Sequence, residues 1–107
     1  MRLSSEALSD IIDVLNAHLI LSNAELKLFG SRVNDQAKGG DIDLLVVFPN
    51  TLTYEHALEK KLMILVDLKQ KLGDQKIDLI FATPNLILSD PFLDMIDENA
   101  IVLYKWH

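Results

Sequence analysis

Residues 41–48, DIDLLVVF, carry two carboxylates at one end and only apolar side chains at the other. Beyond the first few residues both alternating faces are hydrophobic, the pattern of a strand covered on both sides at the centre of a sheet. Pro49 and Asn50 end the run. Side chains alternate along a strand, so Asp41 and Asp43 share one face while Ile42 and Leu44 take the other. Two acids on one face, at the mouth of a buried strand, repel each other and lose hydration. An arginine or lysine partner, or a divalent metal ion, is the usual compensation.

Upstream, Glu25 to Phe29 reads as a short strand that Gly30 and Ser31 terminate, followed by a polar loop, NDQAKGG. Before it, Leu8, Ile11, Ile12, Leu15 and Leu19 recur at helical spacing, so Ser4 to Leu19 is expected to be an amphipathic helix capped by Ser4 or Ser5. Downstream, Leu58, Leu62, Leu65, Val66 and Leu72 predict one core-facing stripe of a second helix, with Gly73 at its C-cap. Lys76 to Ala82 predicts another apolar strand, closed by Thr83 and Pro84. Asp90 and Pro91 suit the start of a third helix running to Glu98, and Ala100 to Trp106 a last strand. The order α-β-β-α-β-α-β predicts an α/β domain with helices packed on a mixed sheet.

A third acid, Asp78, interrupts the apolar run KIDLIFA. A helix of about twenty residues links its strand to that of Asp41, and a crossover of that length favours parallel pairing. Both strands carry their acids near their beginnings, so parallel neighbours would gather Asp41, Asp43 and Asp78 at one edge of the sheet. If the Glu25–Phe29 strand runs antiparallel to the next, Gly30 and Ser31 reach the same edge. Magnesium prefers oxygen ligands and is typically held by one or two carboxylates plus substrate phosphates. A glycine-serine turn offers backbone N–H groups and a hydroxyl to phosphate oxygens, and Arg32 could neutralise phosphate charge. Carboxylate-held metal beside an anion-binding turn is equipment for phosphoryl or nucleotidyl transfer.

Taken singly, these residues have plainer readings. Asp41 and Asp43 suit a polar strand entrance after a Gly-Gly turn, and Asp78 an edge-strand acid or a partner of Lys76. Ser31 alone suits a turn, and Arg32 a surface ion pair. Their joint spacing carries the functional reading. His18, His56 and His107 are scattered without metal-ligand spacing, and His18 is expected at the surface or as a cap. Tyr54, Phe92, Tyr104 and Trp106 are expected to serve in packing, the last two at the core or an interface.

The chain has 107 residues, 50% of them hydrophobic, which suits one domain over 1–107 with a real core. There is no cysteine, so disulfides and thiolate metal sites are excluded. The formal charge of −6 does not favour binding to a nucleic-acid backbone. The first ten residues lack the apolar core of a signal peptide, and no apolar run approaches membrane-spanning length, so a cytoplasmic location is expected.

Gly30-Ser31-Arg32, then Asp41-Ile42-Asp43-Leu44, with Asp78 in the following strand, resembles the signature of minimal nucleotidyltransferases of the DNA polymerase beta-like superfamily. The ending IVLYKW is also similar to that family's C-terminus. The resemblance covers nearly the whole chain and implies the nucleotidyltransferase fold. It further implies that Asp41 and Asp43 ligate catalytic magnesium, one ion or two. Asp78 would be the third acid, helping to bind metal and accepting the proton of the attacking hydroxyl. Gly30 and Ser31 would hold the β and γ phosphates of ATP, with Arg32 in support. Many relatives carry another basic residue and a glycine soon after Gly-Ser-Arg. Here Asn34 and Asp35 follow Val33, and Lys38 is the next cation. Larger relatives have an extra domain for the second substrate, which this chain has no room for. Free-standing minimal members resemble the antitoxin half of a pair with a small helical HEPN protein, often an RNase toxin. Some of them transfer AMP from ATP to a tyrosine of that partner. The resemblance therefore implies a HEPN partner, either adenylylated or simply neutralised by binding. Modification of a small molecule such as an aminoglycoside is a further reading.

Overall fold

The computed structural model describes residues 3–30, 41–73 and 75–107. The elements in chain order are α1 (Ser5–His18), β1 (Glu25–Phe29), β2 (Ile42–Val47), α2 (Thr51–Leu72), β3 (Ile77–Ala82), α3 (Pro84–Ser89), α4 (Pro91–Asn99) and β4 (Ile101–Lys105). The strands form one sheet in the order β3-β2-β1-β4. β1 is antiparallel to both β2 and β4, and β2 is parallel to β3. The sheet is mixed, as the sequence predicts, and its one parallel pair is the one that the long helix α2 connects.

β2 lies inside the sheet, and Leu44, Leu45 and Val46 have no exposed surface. Its two faces meet different helices. Ile42, Leu44 and Val46 join Leu26, Leu28, Leu79 and Phe81 against Ile11, Val14 and Leu15 of α1 and Ala57, Ile64 and Leu68 of α2. Within this layer the rings of Phe48 and Phe81 pack edge to face at 5.4 Å. Leu45 and Val47 join Ala82 on the opposite face, against Ile87 of α3 and Ile96 of α4. Each helix on the sheet removes apolar area from water at roughly 25 cal/mol per Å², the main term holding the layers together.

Local signals set the boundaries. The Ser4 hydroxyl accepts from the Ala7 N–H at 3.0 Å and starts α1. The Asn50 side chain accepts from Thr53 N–H at 2.9 Å and starts α2, which ends at Gly73 with φ +82°. That left-handed conformation is what a glycine C-cap supplies. Among the described residues, no helix is long and apolar enough to cross a membrane.

The structure corrects four readings. The buried stripe of α2 is Ala57, Ile64 and Leu68, whereas Leu58, Leu62 and Val66 are 45%, 75% and 50% exposed. Leu65 and Leu72 are partly buried against the core. The helix has more leucine than one face can use, and the small Ala57 lets its backbone approach the sheet. Thr83 and Pro84 do more than close β3. The Thr83 hydroxyl caps α3 by accepting from Leu86 N–H at 3.3 Å, and Pro84 occupies the first turn. The order is therefore α-β-β-α-β-α-α-β. His18 is not a surface residue: its side chain is largely buried, bonded to Asp67 of α2 across the α1–α2 contact. Phe92 is not a packing residue either, since it is 57% exposed on α4. Trp106 does pack on the core, and its indole N–H donates to Asn16 of α1 at 2.9 Å.

Candidate active site

Register decides which acids meet. In the parallel pair Asp43 of β2 stands directly beside Asp78 of β3, and in the antiparallel pair Asp43 stands opposite Phe29 of β1. The Ile42 N–H donates to the Lys76 carbonyl at 2.8 Å, which locks the two strand entrances together. Asp43 and Asp78 thus project from the face that α3 and α4 cover further along. Asp41 precedes β2 and is exposed, with its charge close enough to bear on Asp43.

Gly30 directly follows β1 and has φ +76°, a conformation that side chains with a Cβ rarely adopt. A Cβ built there overlaps the Asp43 carboxylate and comes within 2.9 Å of its Cγ. The glycine therefore lets main chain and carboxylate share one place. Ser31 and Arg32, and with them Asn34, Asp35 and Lys38, lie outside the described residues.

Crowding shows in the proton affinity of Asp43, pushed up to about 6 from the ordinary 3.8. Partial burial is the first cause. A hydrogen bond with Asp78 follows, then the negative charges of Asp78 and Asp41, while Lys76 pulls the other way. A cation beside Asp43 would offset that crowding of negative charge.

That donor set fits a hard divalent cation such as magnesium, which takes oxygen ligands and needs only one or two carboxylates. Asp43 and Asp78, with Asp41 beside them, are the residues that would hold it. As the sequence predicts, the parallel register brings Asp43 and Asp78 together at one edge of the sheet with the charge of Asp41 beside them, although among the described residues no three His, Asp or Glu side chains are arranged around a single metal position. Asp41 contributes its charge beside the pair.

Beside Asp78 a cavity of about 350 Å³ opens along β3, between Lys61 and Leu65 of α2 and Phe92 of α4. Sequence reading missed Lys61 and Phe92 at this place. Lys61 sits on α2 one turn before Leu65, so the helix period was the available signal; its orientation toward β3 was not. The start of α4 at Asp90 and Pro91 was legible, but that it brings Phe92 to this cavity depends on how α4 packs on the sheet.

A nucleotidyltransferase domain model matches residues 8–104, from within α1 to β4. The chain belongs to the nucleotidyltransferase domain family. No individual curated protein matches it. The Asp43–Asp78 pair, with Gly30 packed against Asp43, is the candidate site for this chain's chemistry.

Proposed function

We propose that this nucleotidyltransferase transfers AMP from ATP to a tyrosine hydroxyl of a small helical HEPN protein encoded nearby, and so acts as its antitoxin in the cytoplasm. The observation that carries the reading is the meeting of Asp43 and Asp78 on parallel neighbours with Gly30 against Asp43. Asp41, Asp43 and Asp78 are the proposed acidic residues of the site. Asp41, Asp43 and Asp78 would hold magnesium, which would supply charge neutralisation at the phosphates and favour ionisation of the acceptor hydroxyl. Gly30 and Ser31 hold the β and γ phosphates, with Arg32 in support. Asp78 takes the proton of the acceptor hydroxyl as its oxygen bonds to the α-phosphorus. The bond to the bridging oxygen breaks, and pyrophosphate leaves with that electron pair. Asp43 keeps the reacting groups oriented between Asp78 and the glycine turn.

The purified pair incubated with ATP and magnesium tests this. The expected outcome is a mass increase of one AMP on the partner, at a tyrosine; an unmodified partner with the wild-type chain overturns it. The sequence NDQAKGG after Val33, with Asn34 and Asp35 where many relatives have a basic residue and a glycine, favours a second reading. In that reading the chain neutralises its partner by binding alone. Alanine at both Asp41 and Asp43 separates them: neutralisation by binding survives the double change, and neutralisation by transfer is lost.

A further inference from the structure

Gly30, Asp43 and Asp78 lie in that order across the sheet, on or just after β1, β2 and β3, and β3 is an edge strand. If the glycine turn takes the donor's phosphates, the other side of Asp43 is left for the nucleophile, because attacking and leaving oxygens lie roughly in line through phosphorus. The cavity of about 350 Å³ reaches Phe29 of β1 at one end, but most of its described lining, from β3, α2 and α4, lies on that other side, against Asp78. Among the described residues its apolar walls include Phe29, Leu65, Ile80 and Phe92, and its charged side chains are Asp78 and Lys61. An apolar cavity with two rings and few polar groups fits a flat aromatic side chain, with its hydroxyl directed at the acid. A polyhydroxylated or polyamino ligand would lose hydration there without recovering hydrogen bonds.

The cavity is not isolated. Leu65 also lines an apolar groove with Val66, Lys69 and Gln70 on the outer side of α2. Exposed Leu58 and Leu62 continue from Val66 at one-turn spacing, so a hydrophobic stripe runs along α2 up to the cavity mouth. Such a stripe offers nothing to a small polar substrate and offers apolar burial to a protein surface flanking the acceptor side chain.

We propose that the cavity beside Asp78 is the acceptor pocket, walled by Phe29, Leu65, Ile80 and Phe92, and that it takes a tyrosine ring whose apolar neighbours in a protein rest on the Leu58–Leu62–Val66 stripe. This rests on the transfer reading above and assigns the place and residues of acceptor recognition.

Amide chemical shifts of the isotopically labelled full chain test it, with N-acetyl-tyrosinamide, N-acetyl-serinamide, the capped tripeptide Leu-Tyr-Leu and ATP as probes. The tyrosine derivative is expected to shift Leu65, Ile80 and Phe92 in a saturable way, and the serine derivative to leave them in place. Phe92→Ala is expected to weaken tyrosinamide binding by about two- to tenfold. The tripeptide is expected to bind more tightly than tyrosinamide, and Leu62→Glu to cancel that gain. ATP is expected to shift Gly30 and Asp43 and to leave Phe92 in place. Equal or absent responses to the tyrosine and serine probes overturn the pocket, and so does displacement of tyrosinamide by ATP, which would make the cavity a base-binding site. A tripeptide gain untouched by Leu62→Glu overturns the stripe. ATP binding at Gly30 without tyrosinamide binding overturns the pocket and leaves the transfer reading standing. Tyrosinamide binding without any ATP binding overturns the transfer reading.

Discussion

Gly30 is where one atom decides whether the site exists. Its φ of +76° is strained for any residue with a Cβ, and that Cβ would overlap the Asp43 carboxylate. Gly30→Ala is expected to cost about 1–3 kcal/mol from the backbone alone. The overlap adds to that cost and turns the carboxylate away from Asp78. Denaturant unfolding checks the first effect. Thermal shift with ATP and magnesium checks the second, which should vanish even where the variant is fully folded. Asp43 supports a pH prediction at the same scale. Its folded-state affinity for a proton is raised, to about 6 from 3.8. A group raised in the folded state contributes its stability below the unfolded value, and that contribution is lost as pH rises through the folded value. The metal-free chain should therefore lose melting temperature between about pH 4 and pH 7 through this group. Asp43→Asn should remove that part of the loss, so that the variant melts above wild type at pH 7 and converges with it near pH 4. Parallel melting profiles for the two proteins would sink the idea. The acids and the glycine were legible in the sequence because charge beside an apolar run is conspicuous. That the glycine touches Asp43 rather than Asp41 was not, because it depends on the β1–β2 register, which pairs Phe29 with Asp43.

At the scale of elements, α2 carries two apolar stripes, and only packing selects between them. Ile64 is fully buried against the sheet, whereas Leu62 is 75% exposed. Ile64→Ala is expected to destabilise the fold by about 2–5 kcal/mol, from lost transfer energy and the cavity left behind. Leu62→Ala should change stability by no more than about 0.5 kcal/mol. Equal costs for the two, measured by denaturant unfolding, would mean that the helix is rotated from the orientation described here. The sequence could not rank the stripes, since Leu58, Leu62 and Val66 follow the helix period as well as Ala57, Ile64 and Leu68 do. What separates the two sets is which of them meets the sheet and α1, a property of the assembled layer rather than of α2 alone. The helix α3 was hidden for a different reason. Six residues are too few to display a period, and its only local marks, Thr83 and Pro84, also suit the end of a strand. The strands and the parallel β2–β3 pair were legible, because a continuous apolar run and a long crossover each admit few alternatives.

Across the whole molecule, the sheet divides the core unequally. The α1–α2 side contains most of the buried apolar residues, including Phe48, Leu15 and Leu68 with no exposed surface. The α3–α4 side rests on Leu45, Val47, Ala82, Ile87 and Ile96. One ion pair, Lys27 with Asp97, ties α4 to β1 from that side. Opening a layer costs in proportion to the apolar area it exposes, so the smaller layer should open first. Amide hydrogen exchange under native conditions is expected to show α3 and α4 exchanging through sub-global openings of lower free energy, while β1, β2 and the buried face of α2 exchange only with global unfolding. Lys27→Met should accelerate exchange in α4 and leave β2 unchanged, because the substitution frees Asp97 without touching the larger core. Uniform protection across both layers would overturn this view of the fold as a rigid slab with a lighter cover. The asymmetry bears on function through position. Asp43 and Asp78 project on the lighter side, and Phe92 stands on α4 at the cavity beside Asp78. β2, which carries Asp43, is thus expected among the last parts to open, and α4, which brings Phe92 to the cavity, among the first. A site built this way keeps the spacing of its acids while the cavity beside them adjusts to what enters.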